Sequence, residues 1–550
     1  MLSGNKIIIS VLFCCFLTLC IGSLFLASPA FVDSETTPKW YCVLFGGIAF
    51  VLAYIISSFF VRNTTEDTDR MLFCFYVVIA LVCTAQAFYG IFQYAGFLPA
   101  SKGFRVTGSF DNPAGFAAGL CTGFPFLLVF LAYKKVWIKI LVVAAGLILI
   151  VAVALSASRA GILSLFTVGM LALFYKFRIK TNRKILVFVA LLISLSGLYF
   201  LKKDSADGRI LIWCCTWEMM QDKPLLGHGT EGFKANYMDY QAGYFEKYPD
   251  SKFLMLADNV KHPFNEYWLL LTNYGMAGFG LFCLFVWFLW KSYRRNQNKS
   301  LFIRSSGWCL LSVAVFALFS YPSRYPFTWV MVIMSTIVVI REAGYKVKAP
   351  PACAFSFRIM LIPLLITFAA ATYIDMSAEI RWSKTARKSM LGQTRQMLSE
   401  YESLYPYMKR KPLFLYNYAA ELNYIGRYHE SSAILAECAA TFNDYDVQLL
   451  FADNYHQTGK YPEAEQHYQR ASYMCPNRFM PLYHLAKLYA ETKRPKEAMT
   501  VAKRIMEKEI KIPSGSIYNI KKEMEELINN NNMDSINISA SESRVSKAGF

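Results

Sequence analysis

The chain has 550 residues, of which 55% are hydrophobic and 17% charged, and its formal net charge is +19. A soluble chain of this length seldom carries so much apolar material, so composition excludes an ordinary water-soluble enzyme. The charge by itself admits nucleic acid as a partner, but Lys and Arg cluster in short loops between apolar runs, as the positive-inside rule requires, and no nucleic-acid partner is expected.

The long apolar runs end near Tyr373. The sequence therefore predicts an all-α chain: a polytopic transmembrane helix bundle over 1–375, a soluble helical domain over 376–527, and a polar, disordered tail over 528–550. The first run, Ile7–Ala27, has a signal peptide as its alternative reading, but it is long and lacks a convincing small-residue cleavage site, so it reads as the first span. Further spans follow at Trp40–Val61, Met71–Phe97, Ala114–Tyr133, Val136–Leu155, Ala160–Tyr175 and Ile185–Leu201. A large loop occupies 202–263, and the last spans are Glu266–Trp290, Leu301–Ser320, Phe327–Ile340 and Ile359–Ile374, eleven in all.

Charge orients them. The basic loops Lys134–Lys135, Lys176–Lys184, Lys291–Arg304 and Arg341–Arg358 fall on one side, the cytoplasmic one, if the N-terminus is inside. The opposite short loops hold only Lys39, Lys102, Arg105, Arg159 and Arg324. The large loop and the C-terminal domain then lie outside. Six histidines and 14 cysteines show no metal-ligand spacing, so neither a metal nor a cofactor is expected. Cys14, Cys15, Cys74, Cys83 and Cys121 sit within apolar runs as small hydrophobes, and no disulfide framework is implied.

Arginines on the outer side are informative. Charges near a membrane core are expensive and keep partners. Arg105, Arg159 and Arg324 either snorkel or pair with carboxylates, or they serve an anionic substrate; with Arg209 they make four on the side that holds His262. Guanidinium suits phosphate because it stays charged and binds in a bidentate fork. In the large loop, Ile210–Gln221 reads as an amphipathic helix and Pro224–Gly229 as a rigid turn, with His228 as a turn residue. Tyr237, Tyr240, Tyr244, Phe245 and Tyr248 offer aromatic surface for sugars or for the membrane interface. Gly275 and Gly278 read as sites of close helix packing.

Four elements follow one another: SFDNP after an outer arginine, SASRAG, the GR–W–P–LGHG–GF block, and N-E-Y–G-x-x-G entering a span. In that order, over about Arg105–Leu281, they resemble the O-antigen ligase and polymerase superfamily of bacterial envelope glycosyltransferases. The resemblance implies a metal-independent enzyme of the inner membrane that moves a glycan from an undecaprenyl-diphosphate carrier to an acceptor in the periplasm. The acceptor (a glycan, lipid A-core or a protein) separates ligase, polymerase and protein O-oligosaccharyltransferase. Arg209 stands with Arg105, Arg159 and Arg324 as candidates for the diphosphate, and Asn112 and Asn265, in the matching motifs, as candidates for substrate binding. The ligases carry a histidine directly before the Asn or Ser that precedes G-x-x-G by nine residues. Here that position is Phe264, and the nearest imidazole is His262. His262 is the candidate base for the acceptor hydroxyl. Glu266 is in reserve, one turn later and on the same face if the helix starts early. The alternative for His262 is an interfacial residue at the start of a span beginning with Pro263.

The C-terminal domain repeats itself. Gly459, Tyr461, Ala464, Tyr468, Ala471 and Pro476 follow the tetratricopeptide pattern; Gly426 and Tyr428 lie 33 residues earlier, and Ala498 lies 34 after Ala464. Stacked helix pairs over about Lys411–Leu527 are expected, with a protein-docking surface as their role. Two other classes compete with an enzyme. A transporter calls for ionisable groups at mid-span, whereas these lie near one face, and an envelope scaffold would rest on the repeats alone.

Overall fold

The computed structural model describes residues 2–60, 65–101, 103–177, 203–295, 300–345 and 351–529. The span expected at Ile185–Leu201, most of the basic loop Lys176–Lys184, Lys102 and nearly all of the tail lie outside these. The described residues are helical, with no strand among them. The chain divides into two compact units. The first comprises 1–201, 264–267 and 279–384, and the second 202–263, 268–278 and 385–550.

The first unit contains α1 (Leu2–Phe25), α2 (Thr37–Phe60), α3 (Thr65–Tyr94), α4 (Pro113–Leu128), α5 (Val136–Leu155) and α6 (Arg159–Phe177). Every expected span among the described residues is helical over most of its length. Six helices are long and apolar enough to cross a membrane, and α1, α6 and Leu301–Ala317 are shorter apolar helices. The protein is thus a membrane protein with an all-α bundle. At its centre is α4, buried continuously from Gly115 to Leu127. It packs against α3, α5 and α6, and small residues such as Gly123, whose Cβ would fall 2.2 Å from Cys83 Sγ, let neighbours approach. One face of α5, including Ile140, Val143 and Leu147, is exposed and apolar, as lipid contact requires.

The second unit is built from α7 (Lys203–Asp222), α8 (Gly232–Lys247), the middle of α9 (Glu266–Arg295), and the helices that follow Thr385. Of the remaining helices, α10 (Leu301–Ala317) and α11 (Pro326–Glu342) belong to the first unit. Helix α12 (Pro351–Lys388) passes from the first unit to the second near its end. After α13 (Thr394–Met408) come three helix pairs: α14 (Pro412–Tyr424) with α15 (Tyr428–Ala439), α16 (Tyr445–Gln457) with α17 (Tyr461–Met474), and α18 (Met480–Glu491) with α19 (Pro495–Glu507).

The repeat pattern explains the pairs. Fully buried Ala464, Ala486 and Ala498 allow helices to touch, and Tyr468 and Tyr489 fill the spaces between them. Each pair turns through a left-handed residue: Gly426 (φ 88°), Gly459 (φ 73°) and, in the third, Lys493 (φ 59°). Glycine adopts this conformation without strain and lysine does not, which is why the third repeat looks degenerate in sequence.

Candidate active site

The first unit gathers polar groups on two motifs. In SFDNP, Asn112 caps α4, its Oδ1 accepting from the backbone N–H of Ala114 at 2.8 Å and Gly115 at 3.1 Å, with Pro113 at the first helical position. The same oxygen accepts from the Tyr325 hydroxyl at 2.9 Å. Next to it, Asp111 forms an ion pair with Arg324 at 3.1 Å, while its second oxygen is buried without a hydrogen bond. Burial works against the charge on Arg324, but Asp111, Tyr325 and Tyr321 outweigh it and hold the guanidinium pKa above its usual value. Of the two readings for Arg324, pairing with a carboxylate is the one present here.

The turn Pro322–Arg324 ties this motif to the second. Ser323 donates both its backbone N–H, at 3.1 Å, and its hydroxyl, at 2.5 Å, to one carboxylate oxygen of Glu266. Asn265 is buried, and its Oδ1 accepts from the N–H of Tyr267 at 3.0 Å, opening α9. Helix α9 begins only at Glu266, and Phe264 has a left-handed backbone (φ 55°). His262 and Glu266 therefore do not share a helix face, contrary to the expectation from spacing. The Phe264 ring packs on Tyr321, with centroids 5.4 Å apart.

Lys39 is a further charged residue on the SFDNP motif that its sequence position does not mark. It is almost fully buried and donates to the backbone oxygens of Glu35 at 2.6 Å and Ser109 at 2.5 Å, with its ammonium 4.8 Å from the centre of the Phe110 ring. A buried lysine held by the SFDNP backbone is a second cation beside Arg324 on that motif. Its only signal in the sequence is a single lysine at the start of an apolar run. Burial raises the pKa of the neighbouring Glu35 carboxyl against the pull of Lys39, and Asp111 and Asp33 add to the rise. Arg105 is exposed and makes no ion pair or hydrogen bond among the described residues; Arg159, at the start of α6, is half-buried.

The second unit holds Arg209, on α7, and His262, both half-buried. The Trp213 indole of α7 donates to the carbonyl of Pro263 at 2.9 Å, directly after His262, and its ring lies 5.7 Å from Trp268. The Pro224–Gly229 turn runs along a break in α9. At Gly275 the backbone leaves the helix (φ 61°, ψ −163°). Met276 and Ala277 donate to the carbonyls of Pro224 (2.8 Å) and Leu225 (3.1 Å). In return, His228 and Gly229 donate to Thr272 (2.9 Å) and Asn273 (2.8 Å). A Cβ on Gly275 would lie 2.4 Å from the Leu225 carbonyl carbon, and one on Gly227 2.5 Å from that of Asn273. Both glycines are there for contact between two backbones. For Gly275 this replaces the expected helix–helix contact. His228 is a turn residue as expected, with Nε2 2.8 Å from the carbonyl of Met219.

Six of the sequence-predicted residues, Arg105, Asn112, Arg159, Asn265, Glu266 and Arg324, thus belong to the first unit, where the Pro322–Arg324 turn brings Asn112, Arg324 and Glu266 together. Arg209 and His262 belong to the second. Among the described residues no group of three or more His, Cys, Asp or Glu side chains could hold a metal.

Residues 144–283 match the family model described as O-antigen ligase. The match takes in Arg159, Arg209, His262, Asn265, Glu266 and the Gly227–Gly275 contact. No curated protein matches the chain. Among solved structures, a chain of the crystal structure of the APC/C hetero-tetramer Cut9-Hcn1 aligns at 13% identity over 89% of this chain and 94% of its own, with a TM-score of 0.24. A score that low carries no structural inference.

Proposed function

We propose that the protein, whose residues 144–283 match the O-antigen ligase family model, is a glycosyltransferase acting on the periplasmic side of a bacterial inner membrane. It transfers a glycan from an undecaprenyl-diphosphate carrier to the hydroxyl of an acceptor, in the manner of a ligase. The family match over residues 144–283, which takes in the whole loop, is the observation that carries this reading.

The chemistry is a displacement at the anomeric carbon. The acceptor oxygen forms a bond to that carbon, the bond to the diphosphate oxygen breaks, and the diphosphate departs with the electron pair. Arginine side chains facing the departing group stabilise its charge, the role for which Arg209, Arg105 and Arg159 are suited. Arg324 shares its charge with Asp111 and orients the turn that holds Glu266. The acceptor proton passes to His262 as general base. Glu266 is the competing base, its carboxylate already fixed by two donors from Ser323.

Purified protein given a polyprenyl-diphosphate-linked glycan and a hydroxyl acceptor tests the proposal. His262→Ala is expected to lower transfer about a hundredfold or more with little loss of folded protein. Retained activity in His262→Ala together with loss in Glu266→Gln assigns the base to Glu266. Absence of transfer by the wild-type protein with any lipid-linked glycan overturns the reading.

A further inference from the structure

In the second unit, the strand of loop that leads to His262 is fastened to the helix pairs, and nothing in the transfer chemistry uses those fastenings. Gln241 of α8 is fully buried, and its amide donates to the carbonyls of Met474 at 2.6 Å and Asp258 at 3.0 Å while its oxygen accepts from Tyr237 at 2.8 Å. Asn477, also buried, donates to the carbonyl of Ala257 at 2.6 Å. Asn259, three residues before His262, donates to Asp444 at 2.9 Å. On the rim, Asp239 pairs with Arg470 at 2.7 Å and accepts from Asn443 at 3.1 Å.

These contacts are not spread over the repeats. Asn443 and Asp444 lie in the turn between α15 and α16, and Asn477 in the turn between α17 and α18. Two successive repeats thus present their inter-pair turns to the loop, and α8 packs along α17 between them. The joint is polar, and the buried amides of Gln241 and Asn477 find carbonyl partners in it. Such a network fixes one register, because a shifted loop would bury unpaired amides and carbonyls.

We propose that the repeats serve as an internal clamp that positions the segment ending in His262, with Gln241 and Asn477 as positioning residues; the catalytic half of this rests on the function proposed above. The repeats' natural ligand at this edge is the chain's own loop, and a soluble partner would have to displace it.

The test uses the full chain in lipid nanodiscs, with hydrogen exchange and transfer kinetics measured on the same preparations. Gln241→Ala and Asn477→Ala are expected to speed exchange in residues 254–263 about tenfold or more while α16 and α17 keep their protection. They are expected to lower kcat about tenfold or more, with the KM for the lipid-linked donor nearly unchanged, since misplacing a catalytic group slows chemistry without weakening remote binding. Arg470→Ala, on the half-exposed rim, gives a milder change in the same direction if a buried variant fails to fold. Unchanged exchange in 254–263 overturns the clamp, and so does faster exchange with an undiminished kcat. If the wild-type protein transfers no glycan, the proposed function fails, and exchange at 254–263 alone decides whether the clamp exists.

Discussion

In the first unit, polar side chains gather at the ends of apolar helices, where Lys39 and Arg324 hold the SFDNP motif, Lys39 through the Ser109 carbonyl and Arg324 through Asp111. In the second, they bridge segments that are far apart in sequence, and the buried amides of Gln241 and Asn477 donate to backbone carbonyls. The first arrangement concentrates charge at the cost of desolvation. The second spends neutral amides on register. The contrast teaches that charged and neutral networks hold different parts of the same chain, and that the two should fail differently when mutated.

The largest effect is expected at the break in α9. Gly275→Ala adds a Cβ where φ is 61° and where the Leu225 carbonyl carbon stands 2.4 Å away. Strain and overpacking together should cost about 3 kcal/mol or more, read as a lower thermal unfolding midpoint in detergent. A wild-type midpoint would mean that the two backbones do not meet.

Ion pairs come next and set the two units against each other. Arg324→Ala leaves Asp111, one oxygen of which is already unsatisfied, without its cation. It should cost on the order of 1–3 kcal/mol. Arg470→Ala, whose pair with Asp239 is half-exposed, should cost less than about 1 kcal/mol in the same assay. Equal losses would erase the distinction.

The smallest effect is a gain. Lys493→Gly relieves a left-handed lysine at the position that Gly426 and Gly459 fill in the other repeats. It should stabilise the second unit by roughly 0.5–1 kcal/mol in chemical denaturation.

How much of this the sequence disclosed follows from the range of the signals. Period carries the repeats, because Gly426, Gly459 and the buried alanines recur at fixed steps, and only Lys493 hides the third. Hydropathy carries the membrane helices, and Asn112 before Pro113 is a local capping signal. The shared face assumed for His262 and Glu266 failed because a left-handed Phe264 intervenes, and no pattern of side-chain types announces that. The Gly227–Gly275 contact is backbone on backbone, so each glycine looks like ordinary helix or turn chemistry until both are seen. Lys39 was read as a loop charge because burial is not visible in one residue. The joint between loop and repeats is the least legible of all, since its members have ordinary surface composition.

That joint also sets an order of events during synthesis. Asp239 waits 204 residues for Asn443, and Gln241 waits 233 for the carbonyl of Met474. At about 5–20 residues per second, a ribosome needs roughly 10–50 s to deliver those partners. The last membrane helices are made within that interval. A nascent chain therefore carries α9 to α12 before the loop can meet the repeats. A message truncated upstream of Asn443 would yield a protein that inserts normally and stays unfastened, with buried-type amides such as Gln241 exposed to quality-control proteases. Completion of the second unit then waits on the C-terminal repeats.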